Sequence, residues 1–308
     1  MSYVKPAVDP SVVDRIAAER FGARVRHIRP LSGGNLSTVF AFDCAEGQYV
    51  IHFSALNHAF AKEPFLADLL CAAGVPYPLH FGRGAYNDLT YSISQRMEGR
   101  LVAEWPVDRQ KELLPDLVAV VTKMHQADVG ATAGYGWLRD SGNGMYDSWE
   151  KFVVAFYDEK QTGTFWENWT DLFRSTCLEK DVFEECYSRL MDFLPYNAPH
   201  RYFVHGDCHP WNLLSDGTKI TGVIDPNSMY GDFLIDISVL AQSLPETGIV
   251  DRFLSYYERT GVDIPDFKER LIGATYFKGL DGLRFYAKMG RKHDYDHLRN
   301  TLLNLVRG

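Results

Sequence analysis

The spacing of apolar residues in this chain changes near residue 100. Before it, apolar positions alternate with polar ones or form short blocks bounded by turn residues, the period of strands. Residues 25–31, 38–44 and 48–53 read as strands, with Glu46-Gly47 as a hairpin turn between the last two. Residues 79–82 and 90–97 add two more strands around Tyr86-Asn87-Asp88. Two helices interrupt this pattern, one starting at Val12 with Ser11 as its cap, the other covering 59–73 and stopped by Gly74. After Glu98-Gly99 the period becomes helical. Leu113, Leu117, Val120, Val121 and Met124 share one face of a helix over 107–126. Residues 149–160, 164–178 and 182–193 predict further helices, and helices resume from Phe233 to the end. In this second part only 202–204 and 219–225 read as strands. The pattern predicts an α+β chain of two lobes: a small β-rich lobe over 1–97 and a larger, mainly helical lobe over 98–308. A ligand cleft between two such lobes is a common arrangement.

Composition narrows the function. With 308 residues and 46% hydrophobic content, a sizeable core is expected rather than disorder. The net charge of −8 argues against a nucleic-acid partner. Residues 1–100 hold 10 basic against 9 acidic side chains, so the remaining 22 basic and 31 acidic residues carry the acidity. That excess suits a cationic small molecule, and equally serves as a solubilising surface. The five cysteines (Cys44, Cys71, Cys177, Cys186, Cys208) form no C-x-x-C pair, which predicts neither a zinc site nor a disulfide framework. Without an apolar signal-peptide core, or an apolar run approaching about 18–20 residues, the expectation is a cytoplasmic protein with no membrane partner, as monomer or dimer.

The chemistry concentrates in Tyr202-Phe203-Val204-His205-Gly206-Asp207-Cys208-His209-Pro210-Trp211-Asn212. An apolar strand delivers a His-x-Asp turn, and Asn212 follows Asp207 by five positions. This is the spacing of the kinase catalytic loop H-x-D-x-x-x-x-N, in which the Asp accepts the proton of the attacking hydroxyl and the Asn holds metal. A second strand ends at Asp225, in the place of the metal-binding Asp of such enzymes. Phosphoryl transfer needs an aimed hydroxyl and neutralised phosphate charge, and little covalent work. One carboxylate on a turn and a pair of hard oxygen donors for Mg²⁺ meet that need. Asp232 reads as a helix cap. Asp236, on an otherwise apolar helix face beside Ile235, Ile237 and Leu240, needs buried partners, and the backbone near His205 is the expected one.

His205-Gly206-Asp207 with Asn212, then Ile224-Asp225, Gly231-Asp232 and Asp236, resemble the signature of the aminoglycoside phosphotransferase family. Tyr49-Val50-Ile51, Tyr91-Ser92-Ile93-Ser94 and Gly134-Tyr135-Gly136 are similar to hygromycin-type members. The resemblance implies a protein-kinase-like fold, Asp207 as base, Asn212 and Asp225 as Mg²⁺ ligands, and ATP or GTP as donor. It also implies a structural role for His205, Asp232 and Asp236 around the catalytic loop, and nucleotide contacts from Ser94 and Met97 where the lobes join.

The first lobe departs from that pattern. Kinase-like folds carry a Lys on the third strand, whereas this strand reads Tyr49-Val50-Ile51-His52-Phe53-Ser54. His52 is either a phosphate donor or a structural strand residue. Glu63 on the next helix is the candidate acid partner, with Lys62 beside it pointing to another face; the alternative is a solvated Glu–Lys surface. Ser32, Gly33, Gly34 and Ser37 form either a nucleotide loop or a plain turn between strands. His209 reads either as a phosphate contact or as loop packing, and Cys208 as a small space-filler. For a polyamine acceptor, Asp147, Glu150, Asp158, Glu159 and Asp281 are the acids to consider, each alternatively an ordinary surface carboxylate. The readings that follow are an aminoglycoside kinase; a metabolic kinase acting on choline, an amino alcohol, a sugar or a macrolide; and a non-catalytic nucleotide-binding protein.

Overall fold

A computed structural model describes residues 5–31, 37–45, 47–56, 59–158, 160–162 and 164–306. The N-terminal part is one antiparallel sheet with helix α1 (Pro10–Phe21) against it. Its strands are β1 (Arg26–Leu31), β2 (Thr38–Cys44), β3 (Gly47–Ser54), β4 (His80–Tyr86) and β5 (Leu89–Gln95), in the order β1-β2-β3-β5-β4. Phe40 and Phe42 of β2, Tyr49, Ile51 and Phe53 of β3, and Ile93 of β5 face Val12, Val13, Ile16 and Ala17 of α1 and form a core of their own. The α1 cap is Asp9, not Ser11: its carboxylate accepts from the Ser11 amide at 2.8 Å, and Pro10 occupies the first turn, where no N–H is needed.

Helix α2 (Glu63–Ala72) starts four residues later than its hydrophobic pattern suggests. Its apolar residues Leu66, Ala67 and Leu70 join the core of the C-terminal part, not that of the first sheet. The helix therefore leans on the second region and brings its first turn, with Lys62 and Glu63, to the junction.

The C-terminal part is mainly helical: α3 (Val107–His125), α4 (Trp149–Phe156), α5 (Leu172–Ser175), α6 (Lys180–Asn197), α7 (Leu234–Ser243), α8 (Ile249–Thr260), α9 (Phe267–Lys288) and α10 (Lys292–Asn304). Helix α9 packs on α6, α7 and α10 through buried Ala274, Tyr276, Phe277, Leu280 and Leu283. Short strands, most of them not expected from the sequence, stitch this part together. They are β6 (Arg100–Leu101), β7 (Tyr135–Leu138), β8 (Gly144–Tyr146), β9 (Tyr202–Val204), β10 (Leu213–Ser215), β11 (Ile220–Val223) and β12 (Met229–Gly231); of these only β9 and β11 were expected. Strand β10 pairs with both β6 and β11, and β12 pairs with both β7 and β9. Strands of two to four residues are too short to display a period. The helix expected over 164–178 is reduced to a 3₁₀ turn, Trp169–Asp171, and the single turn α5, because Asn168 adopts a left-handed φ of 53° that breaks the helical path.

Candidate active site

The His205-Gly206-Asp207 turn follows β9. Gly206 takes φ 77°, and a Cβ there would sit 2.6 Å from the Met229 Cε, so the sequence needs glycine to turn beneath β12. Asp236 is fully buried at the start of α7. Its Oδ2 accepts from the His205 amide at 2.9 Å, and its Oδ1 accepts from the Gly206 amide at 2.8 Å. His125, at the end of α3, closes the set with its Nε2 3.3 Å from Oδ2. The His205 ring is equally fixed: Nδ1 lies 3.2 Å from the Asp207 amide, and Nε2 lies 3.0 Å from the Ile224 carbonyl. Those partners assign a neutral ring with the proton on Nε2, in keeping with burial, which lowers its pKa.

These bonds leave Asp207 on the cavity wall. Burial alone would raise its carboxyl, but the hydrogen bond from His209 and the charges of Lys278, His209 and His205 outweigh it and hold the pKa at about 2. The His209 Nε2 lies 3.4 Å from Oδ2. Asn212 Nδ2 donates to the Asp207 carbonyl at 2.9 Å and to its Oδ2 at 3.2 Å, which turns the amide oxygen of Asn212 elsewhere. The Asn212 carbonyl accepts from the Ile224 amide at 3.0 Å, tying that residue to the strand that ends at Asp225. Asp225 is exposed, with φ 54°. Asp207, Asn212 and Asp225 line one cavity of about 3190 Å³, larger than the usual ~300–1,000 Å³ of a single-ligand pocket and roomy enough for two substrates.

Ser37, His52, Glu63, Ser94 and Met97 line the same cavity from the N-terminal side. Ser32, Gly33, Gly34 and Glu159 lie outside the described residues. The Ser92 hydroxyl is 3.5 Å from Glu63 Oε2. Burial raises the Glu63 pKa; the charges of His52 and Lys62 oppose that rise and Asp225 adds to it, so these four groups share one pocket corner. Lys62 does not point to another face. It lines the cavity, and its Nζ donates to the Asn227 carbonyl, 2.7 Å away, in the loop after Asp225. Burial lowers its pKa to about 8, with Glu63 pulling the other way. No periodicity marks Lys62, because it sits at a helix cap.

Asp232 is fully buried and lies one residue before the α7 N-cap, Phe233, so it is not itself the cap. It accepts from the Leu234 amide at 3.0 Å, from Asn197 Nδ2 at 2.8 Å, and from Arg270 Nε and Nη2, each at 2.9 Å, locking α7 to α6 and α9. Cys208 is buried and its thiol pKa is pushed well up, which leaves no nucleophile there. The proposed substrate acids separate. Asp147, Glu150 and Asp158 are exposed and do not line the cavity. Helix α4 turns Trp149, Phe152, Val153 and Phe156 inward, so the intervening positions face solvent, and Asp147 pairs with Lys151 at 2.7 Å. Asp281 lines the cavity but is already bonded to Lys278 and Arg284. Trp211, 61% exposed on the same wall, is a stacking surface that the sequence reading passed over.

Among the described residues no helix is long and apolar enough to cross a membrane. The model of the phosphotransferase enzyme family matches residues 27–269. Hygromycin-B 4-O-kinase of Escherichia coli is 26% identical over 257 residues, covering 83% of this chain and 73% of that one. A thermostable mutant of aminoglycoside phosphotransferase APH(4)-Ia, solved with AMP-PNP and hygromycin B, superposes with TM-score 0.78 at 26% identity over 96% of this chain and 98% of its own. A further structure of APH(4)-Ia gives TM-score 0.80 at 23% identity, over 97% and 99% of the two chains, and bears on the fold alone. The expected kinase-like α+β fold is therefore the observed one.

Proposed function

The chain belongs to the phosphotransferase enzyme family and is an O-phosphotransferase; on that premise we propose that it moves the γ-phosphoryl group of ATP or GTP to a hydroxyl of an aminoglycoside-type acceptor, with Asp207 as base. The observation that carries this reading is the placement of Asp207, Asn212 and Asp225 on one wall, held by the paired bonds of Asp236 to the catalytic turn. The acceptor oxygen attacks the γ-phosphorus, its proton passes to the Asp207 carboxylate, and the nucleoside diphosphate leaves. A carboxylate held at low pKa stays ionised to orient that hydroxyl and takes the proton late, which suits a loose transition state.

The donor set fits Mg²⁺. Asn212 offers an amide oxygen and Asp225 a carboxylate, both hard ligands, and no group of three or more His, Cys, Asp or Glu forms a closed cage among the described residues. Mg²⁺ bound by one or two protein oxygens plus phosphates is the usual kinase arrangement. It would supply charge neutralisation on the donor phosphates. On the opposite wall, Lys62 provides a cation and His52 a ring nitrogen towards those phosphates, with Glu63 beside them. On this reading the nucleotide lies between the strand-rich residues 1–97 and the wall of 98–308 that carries Asp207, and the acceptor lies towards α9 and residues 164–176.

The aminoglycoside reading draws on the relatives that bind or phosphorylate hygromycin B. A metabolic acceptor on the same fold is favoured by one observation, the scarcity, among the described residues, of free carboxylates on the acceptor side. The test is Mg²⁺-dependent nucleoside diphosphate release with hygromycin B, other aminoglycosides, a macrolide, choline and homoserine. Stimulation by an aminoglycoside supports the first reading, stimulation only by another member supports the second, and absence of nucleotide binding removes both.

A further inference from the structure

Trp211 is an aromatic side chain that the catalytic mechanism leaves unused. The chain has six tryptophans, and Trp211 alone is exposed. The other five have partners. Trp105 lies under Arg100 at 4.5 Å, Trp166 and Trp169 lie under Arg284 at 4.3 and 4.9 Å, and Trp137 and Trp149 pack on Phe152. The Trp211 indole makes no hydrogen bond, ring contact or cation contact to any described residue. A single exposed apolar residue is ordinary on a protein surface. This one lines the cavity that holds Asp207, Asn212 and Asp225.

The backbone holds it there. Trp211 is the middle residue of a 3₁₀ turn, Pro210–Asn212, whose outer two residues are buried. Pro210 fixes its own φ. The Asn212 amide donates to the His209 carbonyl at 2.8 Å, and its side chain donates to Asp207. With both neighbours turned inward, the indole is what this turn presents to the cavity. It stands one Cα step, about 3.8 Å, from the residue that touches the Asp207 carboxylate. A six-membered ring with a hydroxyl at Asp207 therefore comes within reach of the indole. The nucleobase has other apolar faces to use, since Val39 and Val50 of the first sheet and Leu214 and Ile224 of the second part also line the cavity. Tryptophan has two χ angles, so stacking on it orders little side chain, and its face is the best of the aromatic rings for a cation. Three of the other tryptophans already hold an arginine, and this one holds none.

Resting on the kinase reading above, we propose that Trp211 is the platform on which the acceptor stacks. The C–H face of a saturated, amine-bearing ring lies on the indole, and an ammonium of that ring meets its π face. The hydroxyl to be phosphorylated is thereby delivered to Asp207.

The test measures binding of hygromycin B, kanamycin and D-glucosamine by titration calorimetry, each with AMP-PNP and Mg²⁺ present. Wild type is compared with Trp211→Phe, Trp211→Leu and Trp211→Ala, and acceptor and ATP KM values are taken wherever ATP is turned over. Trp211→Ala should weaken acceptor binding at least about fivefold, and Trp211→Phe should stay within about twofold of wild type. Trp211→Leu, apolar but without a π face, should fall between them. The ATP KM should hold within about twofold in every variant, because the donor groups are untouched. All variants should melt with wild type, since an exposed side chain contributes little to stability. Unchanged acceptor affinity in Trp211→Ala overturns the proposal, and so does a Trp211→Leu protein that binds as wild type. A rise in ATP KM with acceptor affinity held assigns Trp211 to the donor and overturns it too, as does wild type that binds none of the three rings. Binding without transfer removes the kinase reading, while the same affinities still decide the role of Trp211.

Discussion

Replacing Asp236 by Asn exchanges one carboxylate oxygen for an NH₂ group and removes a charge. In the protein, Oδ1 faces the Gly206 amide, while Oδ2 faces the His205 amide and His125. If the Asn oxygen keeps the two donors, its NH₂ confronts the N–H of Gly206 in a site with no exposed surface. The loss is one hydrogen bond to a charged acceptor, about 1.5–3 kcal/mol, plus one buried amide left unsatisfied, about 1–3 kcal/mol. A total of about 3–5 kcal/mol follows, because the two contributions overlap. For a chain of this size that corresponds to a fall in Tm of roughly 5–8 °C. The turn that carries Asp207 also loosens, and a displacement near 1 Å at the reacting group costs about 10²-fold in kcat. Thermal melting and steady-state kinetics on the same preparation measure both, and the nucleotide KM should hold within about threefold, since the donor wall is not altered. A variant that melts within about 2 °C of wild type and turns over normally would refute the role of Asp236 as the clamp of the catalytic turn.

Three further outcomes are expected. Asp225→Ala should abolish Mg²⁺-dependent nucleotide binding, read by titration calorimetry with and without the metal; an unchanged Mg²⁺ dependence removes Asp225 from the metal site. Lys62→Met should raise the nucleotide KM by at least about tenfold, the value of one charged phosphate contact, whereas His52→Ala should do less. Burial places the Lys62 pKa at about 8, so its positive charge is present below that pH and lost above it. Nucleotide kcat/KM should therefore fall as pH rises through that value, and Lys62→Arg, which stays charged, should flatten the limb; a limb unmoved in Lys62→Arg assigns it elsewhere. Asp147→Ala and Glu150→Ala should leave acceptor KM within about twofold, because surface pairs of this kind are worth little; a large rise in either would return those acids to the substrate site.

That Asp207, Asn212 and Asp225 meet on one cavity was legible in the sequence because the three lie close together along the chain. His205, Asp207 and Asn212 lie on one turn, and Asp225 ends the neighbouring strand, so a strand–turn–strand pattern is enough to read them. Asp236 was legible for another reason: a lone carboxylate on an apolar helix face demands buried donors. The opposite wall was not. Lys62 faces the site because α2 buries Leu66, Ala67 and Leu70 in the core of the other region, a long-range choice that no local pattern encodes. The same holds for Asp281, whose charge is committed to Lys278 and Arg284 on its own helix. Asp147 and Glu150 show the converse. An acidic residue in an acidic half of the chain is weak evidence for a cationic ligand, since the amphipathic face of α4 already dictates that these positions meet solvent. Short strands such as β6 and β12 escaped notice because pairing partners, not period, define them.

The account stands most directly on Asp207. Single-turnover phosphoryl transfer should be measured for wild type and Asp207→Asn, with nucleotide and Mg²⁺ bound and a productive acceptor present, alongside nucleotide affinity read by titration calorimetry. The account predicts that the variant binds nucleotide within about threefold of wild type and transfers at least about 10³-fold more slowly, as loss of a positioned base requires. Transfer in Asp207→Asn within about tenfold of wild type would contradict it.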